Sequence, residues 1–306
     1  MLLRLIKKTP NIYFIEYRKY FFIFSFFLAL ISALSLQFKG LNFGIDFKGG
    51  LLLETKFKND VALESIRNVI VSIEVGDFTL QELDKSKDNF LLKIELDNSL
   101  KSEQENLIKK VKEALKKEFG DEIDYRRVEF VGPTVSNELI YKGVTAILVA
   151  IASMLVYIWF RFELPFAVGA VIALIHDTIL TVGMFALTSL EFNLSTVAAI
   201  LLIIGYSMND TVVVYDRIRE NLKKFRKVEV FNLLNKSINE TLSRTINTTA
   251  TTIIALLALY YFGGNIIKDF SLAMIWGIII GTYSSILIAT PILLNMKIRK
   301  TKGEEE

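Results

Sequence analysis

The chain has 306 residues, 52% of them apolar, and a mean hydropathy of +0.41, a balance that excludes an ordinary soluble domain. It has no cysteine and a single histidine, His176, so neither a disulfide framework nor a Cys/His metal site is available. The net charge of +3 is small and unevenly placed, and does not indicate nucleic-acid binding.

Residues 1–19 form a basic N-terminus with Arg4, Lys7, Lys8, Arg18 and Lys19. The first apolar segment follows at 20–36, within a span set at 20–37. Its basic flank and the run Ala33-Leu34-Ser35 also fit a secretory signal. The even number of spans and the charge pattern favour an uncleaved anchor.

Residues 38–139 change to a water-soluble composition. A strand region is expected over 43–57, with Gly44, Gly49 and Gly50 allowing turns or bulges. A helix capped by Asn59 or Asp60 follows, then strands at 78–83 and 90–96 around a polar turn at 84–89. An amphipathic helix over 102–119 stops at Gly120, with Leu107, Ile108, Val111, Ala114 and Leu115 on one face. A last strand lies at 123–131. The order βαββαβ is that of a ferredoxin-like α+β domain, long enough to hold its own core.

Residues 140–296 supply a five-helix transmembrane bundle, with apolar segments at 141–160, 164–188, 193–215, 245–262 and 270–296. Pro291 falls near the end of the last, where a lost backbone donor is tolerated. Gly277 and Gly281 form a small-residue pattern suited to close packing within the bundle. Basic residues crowd one side: Arg161, a loop set at 217–244 with Arg217, Arg219, Lys223, Lys224, Arg226, Lys227, Lys236 and Arg244, and a tail at 297–306 with Lys297, Arg299, Lys300 and Lys302. The opposite turns carry only Lys268. By the positive-inside rule both termini are cytoplasmic and the 38–139 domain is periplasmic. The fold expected is a multi-span α-helical membrane protein with six transmembrane helices and one ferredoxin-like domain between the first two.

Neither a phosphate-cradling loop, a dinucleotide fingerprint nor a nucleophile elbow occurs. No enzyme activity, cofactor or metal is therefore expected, and work must come from a partner or an ion gradient. Acids inside apolar spans are costly and read as functional by default. Counted from the cytoplasmic ends, Asp210 lies about 9 Å deep and Asp177 roughly 20 Å deep, on antiparallel neighbouring helices. Burial and the C-terminal end of the helix dipole both disfavour a charge at Asp210. Arg244, at the start of the fifth span, can reach inwards to it. The structural alternative has Asp210 bonded to the Thr-rich run Thr245, Thr248, Thr249, Thr251 and Thr252. Within that reading Asn209, Thr211 and Thr248 are supporting polar contacts. His176 and Asp177 can satisfy each other, and Asp216 reads as an interfacial charge beside Arg217.

Several motifs carry a resemblance. Gly44-Ile-Asp-Phe-Lys-Gly-Gly50, Glu129-Phe-Val-Gly-Pro-Thr-Val135, Ile175-His-Asp-Thr178, Gly205-Tyr-Ser-Met-Asn-Asp-Thr-Val-Val-Val-Tyr-Asp-Arg217 and Leu242-Ser-Arg-Thr-Ile-Asn-Thr248 resemble the SecF family of protein-export membrane subunits. These stand in the family's order over nearly the whole chain. Lys48, Ser136 and Met208 are departures from the pattern, and Ser136 weakens a glycine-hinge reading of its loop. The resemblance implies an inner-membrane protein of the resistance-nodulation-division superfamily that pairs with SecD beside the SecYEG channel. It implies use of the proton-motive force to help draw unfolded preprotein across, with Asp210 and Arg244 as the proton-coupling pair and His176 and Asp177 as further candidates. Asp46, Gly49, Gly50, Gly132 and Pro133, where the outer domain meets spans one and two, are candidates for coupling; turn geometry alone is the other reason for the glycines and proline. Two other functions remain at this level: half of an exporter of a small solute or lipid, and a passive assembly subunit of the translocon.

Overall fold

The structure, a computed structural model, describes residues 10–83, 88–95 and 101–298. Arg4, Lys7, Lys8, Arg299, Lys300, Lys302 and most of the expected 84–89 turn lie outside these residues.

Six helices are long and apolar enough to cross a membrane, as expected from their composition. They are α1 (Arg18–Phe38), α5 (Pro133–Arg161), α6 (Leu164–Thr188), α7 (Leu194–Lys224), α8 (Val230–Phe262) and a last helix beginning with α9 (Gly264–Ser284). The last continues through a π-helical turn at Ser285–Ala289 into α10 (Thr290–Ile292) and a 3-10 turn at Leu293–Asn295. Helices α6, α7 and α9 form the inside of the bundle, while α1, α5 and α8 expose most of their surface. Gly281 shows why the inner helices approach so closely: a Cβ there would run into Ser207 of α7. The Gly277/Gly281 pattern thus serves packing inside one chain.

Between α1 and α5 the chain builds β1 (Asn42–Phe43), α2 (Ile45–Lys48), β2 (Gly50–Phe57), α3 (Leu63–Ser72), β3 (Phe78–Glu82), β4 (Asn89–Glu95), α4 (Lys101–Phe119) and β5 (Ile123–Val131). Strands β3-β4-β2-β5 form one antiparallel sheet, the neighbour order of a ferredoxin-like βαββαβ unit. Alternate residues Leu51 and Leu53 of β2 and Leu92 and Ile94 of β4 pack with Ile66, Ile70, Val111 and Leu115 of the two helices. The other sheet face holds a second, small cluster of Ile45, Leu52 and Leu91.

Three local expectations need correction. The 43–57 region is not a single strand: α2 interrupts it, and the break falls at Gly49 (φ +86°) and Gly50 (φ +152°), conformations that side chains disfavour. Neither Asn59 nor Asp60 caps α3, whose N-cap is Ala62 with no side-chain hydrogen bond. Most of the 217–244 segment is helix, because α7 runs to Lys224 and α8 starts at Val230. The buried residues Leu233, Leu234, Ile238 and Leu242 explain this: they join the bundle core and hold the extra turns in place. Asp216 pairs with Arg161 at 3.0 Å, while Arg217 is taken by Glu220 and Glu240.

Candidate functional site

Asp177 sits midway along α6 and is fully buried. Its Oδ2 accepts from Ser207 Oγ of α7 and Ser284 Oγ of α9, both at 2.7 Å. Its Oδ1 lies 3.0 Å from His176 Nδ1. Three side chains from three helices therefore meet on one carboxylate. Such partners take the place of the water that burial removes. His176 Nε2 is buried without a partner among the described residues, and the ring lies 6.2 Å from that of Tyr283. The Tyr283 hydroxyl in turn meets Ser25 Oγ at 2.6 Å and donates to the Phe21 carbonyl, which ties α1 to the same centre.

Asp210 sits on α7 one helical turn beyond Ser207 and is also buried. Its one hydrogen bond among the described residues comes from Thr282 Oγ1 of α9, at a long 3.3 Å. Thr282 lies 2.8 Å from Thr249 Oγ1 of α8. If Thr282 spends its proton on Asp210, Thr249 must supply the other bond, so the three groups form a polarised chain. Thr211, beside the acid, meets Ser285 Oγ at 2.7 Å.

The expected Asp210–Arg244 pair is not an ion pair. The Arg244 charge is near enough to act on Asp210, but the side chain is exposed and closes on no carboxylate among the described residues. The Thr-rich run also behaves differently from expectation. Thr248, Thr251 and Thr252 bond to carbonyls of their own helix, and only Thr249 reaches toward Asp210, through Thr282. Asn209 is exposed and lines an open groove with Ser153, Met154 and Tyr157 of α5.

A third constellation stands where the domain meets the bundle. The turn between α6 and α7, which carry the two acids, forms a short strand β6 (Glu191–Phe192) that pairs in parallel with β1. Asp46 Oδ2 accepts from the backbone N–H of Leu194, the first residue of α7, at 3.0 Å. That places a carboxylate at the positive end of the helix dipole. Asn193 and Thr196 complete a capping box beside it. Lys93 of β4 forms a half-buried ion pair with Glu191, and Phe43, Phe47, Phe185 and Phe192 stack around the joint. Gly50 is required sterically, since a Cβ would strike the Ile94 carbonyl. Gly132 has an ordinary φ of −77° and precedes Pro133, the first residue of α5. The conformation it holds here is one that other residues also adopt, unlike those of Gly49 and Gly50.

Sequence reasoning missed Ser207, Thr282, Ser284, Ser285, Lys93 and Glu191. The run Thr282-Tyr-Ser-Ser285 inside an apolar span was the available signal for the first group. The Lys93–Glu191 pair joins residues almost a hundred positions apart and has no local signature.

With this geometry described, the chain can be set beside known proteins. Residues 110–299 match the family model "Protein export membrane protein SecD/SecF, C-terminal", and residues 35–61 match the "SecD/SecF GG Motif". A protein translocase subunit SecF from Rickettsia bellii is 45% identical over 291 residues, covering 95% of either chain. The chain belongs to the SecF family. A second relative, SecF from Rickettsia felis, is 45% identical over 301 residues, covering 97% of this chain and 96% of its own. A crystal structure of SecDF from Thermus thermophilus, a translocon-associated membrane protein, superimposes with a TM-score of 0.78 at 35% identity. It covers 95% of this chain, which spans only 39% of that longer one. SecDF in a super-membrane-facing form gives 0.70 at 34% identity. The chain is thus a multi-pass membrane protein of the SecF type. The GG-motif match contains Asp46, Gly49 and Gly50, the residues at the joint with α7.

Proposed function

We propose that the chain is a SecF subunit that pairs with SecD in the inner membrane and uses the proton-motive force to assist SecYEG-dependent export of unfolded preprotein. The observation that carries this is Asp210: a buried acid in a membrane helix with one long hydrogen bond, near the Arg244 charge. An acid in an apolar span with so few donors is a functional site by default. Its neighbour Asp177, with three partners, acts in this reading as the fixed centre of the bundle. Each proton driven across 100 mV releases about 2.3 kcal/mol.

The domain is coupled to the acids through the α6–α7 turn. Asp46 and Gly44–Gly50 grip the start of α7, Lys93 grips Glu191, and Gly132 with Pro133 starts α5 on the other side of the domain. Orientation follows the basic residues. Arg161, Arg217, Arg219, Lys223, Lys224, Arg226, Lys227 and Lys236 cluster at the end of the bundle away from the domain, which supports cytoplasmic termini and a periplasmic domain at 38–139.

The test is gradient-dependent preprotein translocation in vesicles holding the chain, its SecD partner and SecYEG. Asp210→Asn is expected to remove the gradient-dependent part while co-purification with SecD stays normal. Unchanged translocation makes Asp210 interhelical glue and the chain a passive assembly subunit.

A further inference from the structure

Helix α9 is the one described helix that gives hydrogen bonds to both acids. Thr282 donates to Asp210 and Ser284, two residues on, donates to Asp177. Directly after them the helix opens into the π-helical turn Ser285–Ala289. Pro291 gives the physical reason: it has no N–H for the Leu287 carbonyl four residues back. Thr290 Oγ1 meanwhile donates to the Ser285 carbonyl at 2.9 Å, closing the wide turn. Such turns are marginal elements that recur at functional sites.

The two sides of this turn are held by different things. At its far end, the carbonyl of Ala289, the last residue of the turn, accepts from the buried Tyr215 hydroxyl at 3.0 Å and Gly169 of α6 packs on it; beyond the turn, Leu293 is fully buried. Before it, α9 faces α7 through Gly277 and Gly281, which put no side chain into the contact. The polar ties there are hydroxyls and one indole bond, Trp276 Nε1 to the Leu180 carbonyl at 3.3 Å, beside the buried Ala273, Met274 and Ile278 of the bundle core. The serines also have a second acceptor on their own helix. Ser284 Oγ lies 3.1 Å, and Ser285 Oγ 2.8 Å, from the Gly281 carbonyl. Either can leave its partner helix without becoming an orphan donor, which removes the donor's share of the cost of breaking such a bond.

We propose that the π turn is a swivel: the part of α9 before it turns against the anchored stub when Asp210 gains or loses its proton, carrying Ser284 onto or off Asp177. The proposal rests on the reading of Asp210 as the proton-responsive acid. With Asp210 ionised, Thr282 donates to it and Thr249 donates to Thr282. With a proton on Asp210, the carboxylic O–H donates to Thr282 and Thr282 donates to Thr249, so the polarity of the α8–α9 contact reverses. One proton is added to or removed from a carboxylate oxygen, and no other covalent bond changes.

Because the chain has no cysteine, a paired replacement gives a clean lock. Ile203→Cys with Gly277→Cys joins α7 to the moving part of α9 and alters no residue that touches either acid. In vesicles with SecD and SecYEG, oxidation is expected to cut gradient-dependent translocation by about tenfold or more, and reduction to restore it. Co-purification with SecD reports assembly. An oxidised pair that works within about twofold of the reduced one overturns the swivel. So does a pair that stays open to maleimide and never forms the disulfide, since the helices are then not apposed as described. Pro291→Ala, which returns the missing N–H, is the second variant and is expected to lower the gradient-dependent rate with normal assembly; an unchanged rate removes the π turn from the mechanism. Asp210→Asn run in parallel separates the two failures. If it abolishes the gradient effect and the locked pair does not, the swivel alone is wrong; if it changes nothing, the underlying reading of Asp210 fails.

Discussion

The two buried acids of the bundle share a residue type, a depth of burial and neighbouring helices, yet differ in how they are served. Asp177 has a partner on each of its oxygens, three in all, at 2.7–3.0 Å, drawn from α6, α7 and α9. Asp210 has one among the described residues, at 3.3 Å. A carboxylate surrounded by donors holds structure, whereas one left short of them is free to change state. Burial alone does not distinguish these roles; the count of donors does.

The difference can be broken or sharpened by substitution. Asp177→Ala strands the Ser207 hydroxyl and an imidazole, leaves Ser284 only the Gly281 carbonyl, and is expected to destabilise the bundle by about 3 kcal/mol or more. Asp210→Ala strands only Thr282, which keeps Thr249, and is expected to cost about 1 kcal/mol or less. Unfolding of each variant in detergent micelles measures this, and equal losses erase the distinction. Translocation should rank them in the opposite sense per unit of stability lost, with Asp210 the more damaging.

Ser284→Ala removes one of three partners of Asp177, for an expected cost of about 1 kcal/mol. Combined with Asp177→Asn, the two losses should be less than additive, because they share one bond. Full additivity in the same unfolding assay places Ser284 elsewhere. The smallest effect is expected at Thr282→Val, below about 0.6 kcal/mol in stability. Its consequence should appear in the gradient-dependent rate, and a stability loss as large as that of Ser284→Ala argues that Asp210 is held as firmly as Asp177.

Much of the fold was legible because the forces behind it are local. Six apolar lengths gave six helices, and alternating residues such as Leu51 and Leu53 gave the sheet and its core. The extension of α7 and α8 through 217–244 was hidden by its charge. Its helical structure depends on Leu233, Leu234 and Ile238 packing into the bundle, and on Asn235 and Asn239 binding the chain at Ile15 and Ile12. The acids were legible because an apolar span makes them expensive. Their partners were not, since a membrane threonine can satisfy itself on the carbonyl four residues back. Thr248 and Thr251 do so, whereas Thr252 in the same run also accepts from the Tyr206 hydroxyl of α7 and Thr249 reaches across to Thr282. Nothing in sequence spacing separates these cases.

The attachment of Asp46 to the first N–H of α7 has a mechanical consequence. Asp210 lies sixteen residues further along that helix, about 24 Å at 1.5 Å per residue. No proline or glycine pair interrupts the way, so the segment behaves as a stiff rod. On the proposed coupling, a pull on the domain end arrives at the acid as translation, with little lost to bending. The Thr282 contact at 3.3 Å stands about 0.3 Å short of the separation at which it ceases to be a hydrogen bond. On the proposed coupling, a displacement smaller than an atomic radius at the membrane surface is enough to break it.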